Sequence, residues 1–240
     1  MARSGLKRTP VAGPTREYDA TRQGWVDLTG RLMNETETWA DRAFEDEVFD
    51  GADLSDTRME ACSFACCSFR GASLSSALTS GCTFERCDFT DARLNGSEHR
   101  GSAFLNCSFE GASLFSSEFE ECKLIGASLA EADLTAFTLR GGDLSYANLF
   151  EKGDLKGQDL KGIRFVEAEL AGCDLTGADL RRADLTRANL SGARLKGADL
   201  RGASLEGVAL SALDLRGVKL DAAQAILLAR SHGAEVDLGA

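Results

Sequence analysis

Much that would announce an enzyme or a membrane protein is missing from this sequence. No nucleophile–histidine–acid set, glycine-rich phosphate loop or pair of inward carboxylates can be assembled from it, so catalysis is not expected and no cofactor is implied. No apolar run approaches the roughly 20 residues of a membrane span. The opening MARSGLKRTPVAGPTR is basic but has no apolar core. That excludes a signal peptide and points to the cytoplasm, where thiols stay reduced. Positive charge is in deficit, with 27 Lys and Arg against 38 Asp and Glu and a net charge of −11. The balance disfavours nucleic acid or anionic lipid as direct partners and favours a basic surface. Proline is scarce, two residues against 25 glycines, so the glycines need a structural reason.

What is present is a period of five. In CTFERCDFTDARLNG (82–96), Phe84, Phe89 and Leu94 are five apart, and each stands two residues after Cys82, Cys87 or Ala92. The register runs from Phe44 to Leu149, slips by one near Lys152–Gly153 and resumes from Leu155 to Leu220. Of its 36 centres, 33 are Leu or Phe; the exceptions are Met59, Thr79 and His99. Of the glycines, 17 stand two residues after a centre, where a recurring corner would use a residue that tolerates φ > 0.

A period of five fits neither a helix nor a simple strand, so the units must form one stacked supersecondary structure. Phe-Phe-Leu-x recurs every 20 residues, as Phe44, Phe49, Leu54, Met59 and then Phe64, Phe69, Leu74, Thr79. Like residues stack best if four units make one coil with four sides. The expected fold is an all-β solenoid of about nine coils, rising ~4.8 Å per coil, with centres and small residues inside.

Seven of the eight cysteines fall in the small slot two before a centre, among Ala and Ser, and only Cys66 lies elsewhere. Neighbouring cysteines five apart would point into a packed interior without His or carboxylate partners, unlike a zinc site, and neither a metal nor a disulfide is expected. His99 falls at an inward centre, where a polar residue must find a hydrogen bond, distort the coil or bulge toward a partner. His232 falls at the end of a C-terminal helix and is expected only to solvate.

The ends depart from the period. Residues 1–22 read as a flexible tail, 23–42 as an irregular first coil around Leu28, 43–220 as the repeat with its slip at 150–154, and 221–240 as a short α-helix and tail. Asp221 and Gln224 suit a capping box, Gly233 a helix stop and Arg230 the negative helix end. The helix body is apolar on more than one face. One side can cap the open end of the rod. The other, through Leu220, Ala225, Ile226, Leu227 and Leu228, offers a two-fold homodimer contact.

Units such as ADLRR, ADLTR, ANLSG and ADLRG (178–202) resemble the pentapeptide-repeat family over roughly residues 40–220. The resemblance implies a right-handed quadrilateral β-helix. LRGVKLDAAQAILLARSHGAEV (215–236), DLSYANL (143–149) and FDGADLS (49–55) are similar to the Qnr quinolone-resistance proteins, with MfpA a relative of the same architecture. That likeness implies a tail-to-tail dimer. It also implies a DNA mimic that binds DNA gyrase and topoisomerase IV, with drug resistance or self-immunity as the outcome. Many Qnr proteins carry projecting loops needed for protection; this register has no insertion of such length and is closer to MfpA. The alternative is a pentapeptide-repeat scaffold for another protein.

Charge is unevenly spread. Residues 43–149 hold 18 acidic and 7 basic groups, whereas 150–240 hold 14 and 13. The first segment would span about 26 Å, a length over which B-DNA carries ~15 negative charges. Sorting units by four gathers Asp50, Asp88, Asp91, Glu110, Glu131 and Glu151 on one side with Arg70. That side is the expected partner-binding face; the other reading is that these acids keep the rod in solution.

Overall fold

Each five-residue unit turns one corner, and the corner dictates the backbone. The computed structural model describes residues 38–150 and 153–237, and the backbone of 17–19 and 24–26. In it the residue two after a centre is left-handed at every described corner up to Gly207. Glycines such as Gly51 and Gly71 take this conformation, and so do 17 non-glycine residues, from Asp41 to Arg187. Left-handed backbone costs an ordinary residue about 1–2 kcal/mol, so the corner is the requirement and glycine only its cheapest solution.

Residues twenty apart lie over one another, as the period predicts, and four walls result, named here by their first centres. On the Phe44 wall, β4 (Ala43–Glu45), β6 (Ser63–Ala65), β8 (Thr83–Glu85) and β10 (Ala103–Leu105) pair in parallel, Phe44 opposite Phe64, Phe84 and Phe104. On the Met59 wall, β3 (Thr38–Ala40), β5 (Arg58–Glu60), β7 (Leu78–Ser80), β9 (Glu98–Arg100), β11 (Glu118–Glu120) and β12 (Thr138–Arg140) form a six-stranded parallel sheet. The Phe49 and Leu54 walls are held by single bridges, such as Ser68 to Asp88 and Ser73 to Arg93. Where nine similar coils were expected, regular strands span about five turns, from Trp39 to Leu139. Beyond them only single bridges continue the stack, through Asp143, Arg164, Asp184 and Ser204. β1 (Glu17–Asp19) and β2 (Gly24–Val26) pair antiparallel, across the boundary drawn between tail and first coil. The rest of 1–37, with Leu28, lies outside the described residues.

The core is a set of columns. Phe64, Phe84 and Phe104 stack with centroids 4.7 Å apart and planes within 4°; Phe69, Phe89 and Phe109 stack at 4.7 and 4.9 Å with planes within 5°. Rings of the two columns meet edge to face at 5.5–6.1 Å. Such pairs add about 0.5–1.5 kcal/mol each to the burial of the rings.

The small slot comes in two kinds. After the Phe49-wall centres from Phe49 to Leu129 it holds alanine, whose N–H closes a turn on the centre's carbonyl (Ala52 to Phe49, Ala72 to Phe69, 3.0 Å); past the slip Cys173 stands there, closing the turn on Leu170 and giving its thiol to the Leu149 carbonyl at 3.1 Å. With φ > 0 at the third residue this is the type II arrangement. At corners that leave a strand, the centre's carbonyl instead receives a thiol from the next coil. Cys82 donates to Met59, Cys87 to Phe64, Cys107 to Phe84 and Cys122 to His99, at 3.2–3.4 Å. Cysteine fits there because it is small and still carries a weak donor.

The register slip splits two walls. The Phe44 and Phe49 walls absorb it by pairing 21 apart, Asp143 with Arg164 and Asn148 with Glu169. On the Leu54 and Met59 walls, among the described residues, no bridge joins Asp133 to Asp154 or Thr138 to Asp159. The small-slot column explains the parting. It runs Thr57, Ala77, Ser97, Ser117, then Phe137 and Gln158, and Phe137 is buried there. Two large side chains in a slot sized for alanine hold the coils apart. Gln158 closes part of the gap: its carboxamide accepts from the Leu139 N–H at 3.1 Å and donates to the Phe137 carbonyl.

At the far end, α1 (Ala222–Ser231) starts at a capping box between Asp221 and Gln224, both bonds at 3.0 Å. The same two residues seal the sheet. Asp221 accepts from the Gly202 N–H at 2.7 Å, and the buried Gln224 amide donates to the Leu200 and Ala203 carbonyls.

Candidate partner-binding face

The Phe49 wall brings most of the expected acidic residues together. Its ladder Val48–Ser68–Asp88–Ser108–Ser128 fixes the side-chain direction of each flanking position. Asp50 and Glu110 follow their centres by one residue, and Asp91 and Glu131 occupy corners with φ of 58° and 61°. All are exposed except Asp88, which is half-buried. Glu151 lies outside the described residues.

Asp88 and Asp50 are both engaged through Arg70. Asp88 meets the Arg70 guanidinium at 2.8 Å and accepts from the Thr90 N–H at 2.9 Å and its hydroxyl at 2.5 Å. Burial works to raise its carboxyl, but the Thr90 and Arg70 hydrogen bonds outweigh it and hold the group below its ordinary value. Asp50 accepts from the Arg70 N–H at 3.0 Å and from Ser68. Arg70 thus ties Asp50 to Asp88 across neighbouring coils, which the charge count did not anticipate. The Ser-x-Arg and Asp-x-Thr spacings were the available signal.

The C-terminal half treats its acids differently. Asp179 is gripped by Arg181 at 2.6 Å and Lys161 at 3.2 Å, and Asp199 by Arg201 at 2.7 Å. Arg201 draws the Asp199 carboxyl down to about 2, and Arg216 does the same to Asp214. These zippers neutralise the wall that carries them. Exposed pairs of this kind are worth little for stability; their effect is on the field the rod presents.

The residues expected at a dimer contact divide. Leu220 and Leu228 pack back against the core. Ala225 and Leu227 are exposed, Leu227 by 41%, and Ile226 is half-buried. Three large aromatics that the period did not single out are also exposed: Phe115, Tyr146 and Phe150. Each stands one or two residues after a centre, at a solvent position.

His99 is buried with both ring nitrogens engaged. Ser97 gives its proton to the Leu94 carbonyl at 2.7 Å, so it accepts from His99 Nε2 at 2.9 Å. That leaves Nδ1 to accept from the Thr79 hydroxyl at 2.8 Å. Burial pushes the imidazole down to about 3, so it stays neutral. Of the outcomes open to a polar centre, this is the hydrogen-bonded one. Among the described residues, no group of His, Cys, Asp and Glu is placed to hold a metal ion, and no helix is long and apolar enough to cross a membrane.

Comparison with known proteins agrees with this geometry. Full-length QnrB1, a plasmid-mediated fluoroquinolone resistance protein, superposes with a TM-score of 0.72 at 26% identity, covering 83% of this chain and 100% of that one. A trypsin-treated QnrB1 variant gives a TM-score of 0.72 and 26% identity, covering 84% and 100%. No curated protein matches the sequence. The profile of pentapeptide repeats matches in eight copies, over residues 67–98, 117–151, 154–187 and 183–221. With more than half its length so matched, the chain belongs to the pentapeptide-repeat family.

Proposed function

We propose that the chain is a homodimeric, non-catalytic protein of the cytoplasm that binds DNA gyrase, and topoisomerase IV by the same surface. Its acidic Phe49 wall takes the place of DNA on the enzyme, and the biological outcome is resistance to a fluoroquinolone or immunity to a natural gyrase poison. The observation that carries this reading is the likeness to QnrB1 over the whole of that chain. The charge asymmetry supports it, since 18 of the chain's 38 acids stand in residues 43–149 against seven basic groups. A rod of β-coil width with a DNA-like charge density meets a DNA-binding groove by electrostatic complementarity, which governs encounter rate and specificity. The C-terminal half, with its paired charges, is not part of the mimic; it ends in α1, whose outward residues Ala225, Ile226 and Leu227 join two copies.

A supercoiling assay with purified gyrase tests this, run with and without ciprofloxacin and a peptide poison across protein concentration. The expected result is relief of the poison's effect at low protein and inhibition of supercoiling at high protein. No effect in any arm assigns the rod to the other reading, a scaffold for a different protein.

A further inference from the structure

The coils part a second time, near the end of the rod. In the coil before, the N–H groups of Gly172 and Leu175 donate to the carbonyls of Ser191 and Arg194 at 2.9 and 2.8 Å. The equivalent groups one coil on belong to Gly192 and Leu195, and neither has an acceptor among the described residues. No bridge joins Arg194 to Asp214 among the described residues, although Asp199 still pairs with Lys219 on the next wall. The small slot again explains the parting. It holds Ala193 and then Leu213, whose N–H closes a turn on Leu210 at 3.2 Å as that of Ala193 does on Leu190 at 3.0 Å. A leucine in a slot sized for alanine lifts the last coil, which there forms a short 3-10 helix (Leu210–Ala212). A cleft of about 690 Å³ remains, with residues 192–196 on one rim and 212–216 on the other; that volume is in the range of small-molecule sites.

The chemistry of this cleft is one-sided. Its charged lining is Arg194, Lys196 and Arg216 against Asp214 alone. Arg216 holds Asp214 at 2.9 Å, and Arg194 reaches Asp174, one coil back, at 3.1 Å. Lys196 meets no acid among the described residues. The N–H groups of Gly192 and Leu195 face the cleft, because their counterparts at Gly172 and Leu175 donate to the next coil. An ammonium and two backbone N–H groups only donate, so the group that satisfies all three is a pure acceptor, and a charged one bonds most strongly. Ala193, Leu195, Ala212 and Leu213 line the cleft beside these donors and offer apolar surface. We propose that the cleft binds a small organic oxyanion, an apolar body that carries a carboxylate or a phosphate. Its oxygens accept from Gly192, Leu195 and Lys196, and its body lies against Leu213. The acidic Phe49 wall takes no part, so this site and gyrase binding stand or fall separately.

The test titrates the full chain with anilinonaphthalene sulfonate, a fluorescent apolar anion, and with its uncharged analogue phenylnaphthylamine. Hydrogen exchange reads the footprint. The sulfonate is expected to bind at least about tenfold more tightly than the uncharged probe and to protect the amides of Gly192 and Leu195. Benzoate or phenyl phosphate is expected to displace it, and the stronger competitor tells a carboxylate ligand from a phosphate ester. Lys196→Glu is expected to weaken the sulfonate by about tenfold or more, while Arg182→Glu, the same charge change at another exposed position, leaves affinity within about twofold. Leu213→Ala lets the last coil settle, and is expected to abolish binding and to protect the same two amides without any probe. Equal affinity for both probes, a footprint elsewhere, displacement by neither competitor, or equal losses in Lys196→Glu and Arg182→Glu would overturn the proposal. So would binding that weakens as protein concentration rises, which assigns the cleft to a second copy.

Discussion

Gln158 and Gln224 perform one task at two places. Each puts a side-chain amide against backbone groups that the next coil fails to reach, Gln158 against Leu139 and Phe137 and Gln224 against Leu200 and Ala203. A buried backbone group left without a partner costs about 1–3 kcal/mol. Gln224→Ala is expected to cost about that much in urea unfolding and to expose α1 to limited proteolysis before the rod. Gln158→Ala is expected to cost less, because its site is open to water, and to leave α1 protected. Equal proteolysis of α1 in both variants would separate neither role.

The thiol bonds give a second expectation. Cys87→Ser keeps a donor to the Phe64 carbonyl and Cys87→Ala removes it. Serine at this corner is expected to be the more stable of the two, by about 0.5–1.5 kcal/mol. Thiol titration of the native protein is expected to find Cys66 fast and the other seven, all buried, slow. Burial and hydrogen bonding push the Cys87 thiol up to about 12, with the Cys107 hydrogen bond the largest cause, so the slow class holds at pH 8. Rapid modification of all eight would contradict the packed columns.

His99 sets a pH dependence. Its folded value near 3 lies below its ordinary 6.5. Protons therefore favour the unfolded chain between those values, and the neutral-state stability is full above 6.5 and lost as pH falls toward 3. The loss is about 1.4 kcal/mol per pH unit across that window. His99→Phe, which continues the column to Phe119, is expected to flatten this slope in urea titrations between pH 4 and 6.5. An unchanged slope would place the dependence in other groups.

How much of this was legible in the sequence follows from the physics of each feature. The columns Phe64–Phe84–Phe104 were readable because a 20-residue repeat admits few other stackings. The acidic wall was readable because side-chain direction follows register. Alanine and cysteine looked interchangeable in the small slot because size alone was considered; the thiol's hydrogen is what separates them. Phe137 and Gln158 in that slot were a visible sign of the split, but the period alone registers a one-residue slip and does not say which walls absorb it. Thr79, Ser97 and Ser102 around His99 also stood in the sequence. Only the fold shows that Ser97 and Thr79 serve the two ring nitrogens.

The helix contact has its own measurement. Leu227→Glu places a charge at the exposed apolar position of α1 without touching Gln224 or Leu228. Light scattering is expected to report a dimer for the parent chain and a monomer for the variant, with far-ultraviolet dichroism unchanged. A variant that remains dimeric would move the contact elsewhere.

The most direct measurement is gyrase affinity across salt concentration for the parent chain and for Asp88→Lys, Asp91→Lys, Glu110→Lys combined. A second triple, Glu167→Lys, Glu206→Lys, Glu235→Lys, makes the same change in net charge on the C-terminal half. If the Phe49 wall stands in for DNA, the first triple loses at least about tenfold in affinity and most of its salt dependence, and the second loses little. Equal losses in both triples, or none in the first, would contradict it.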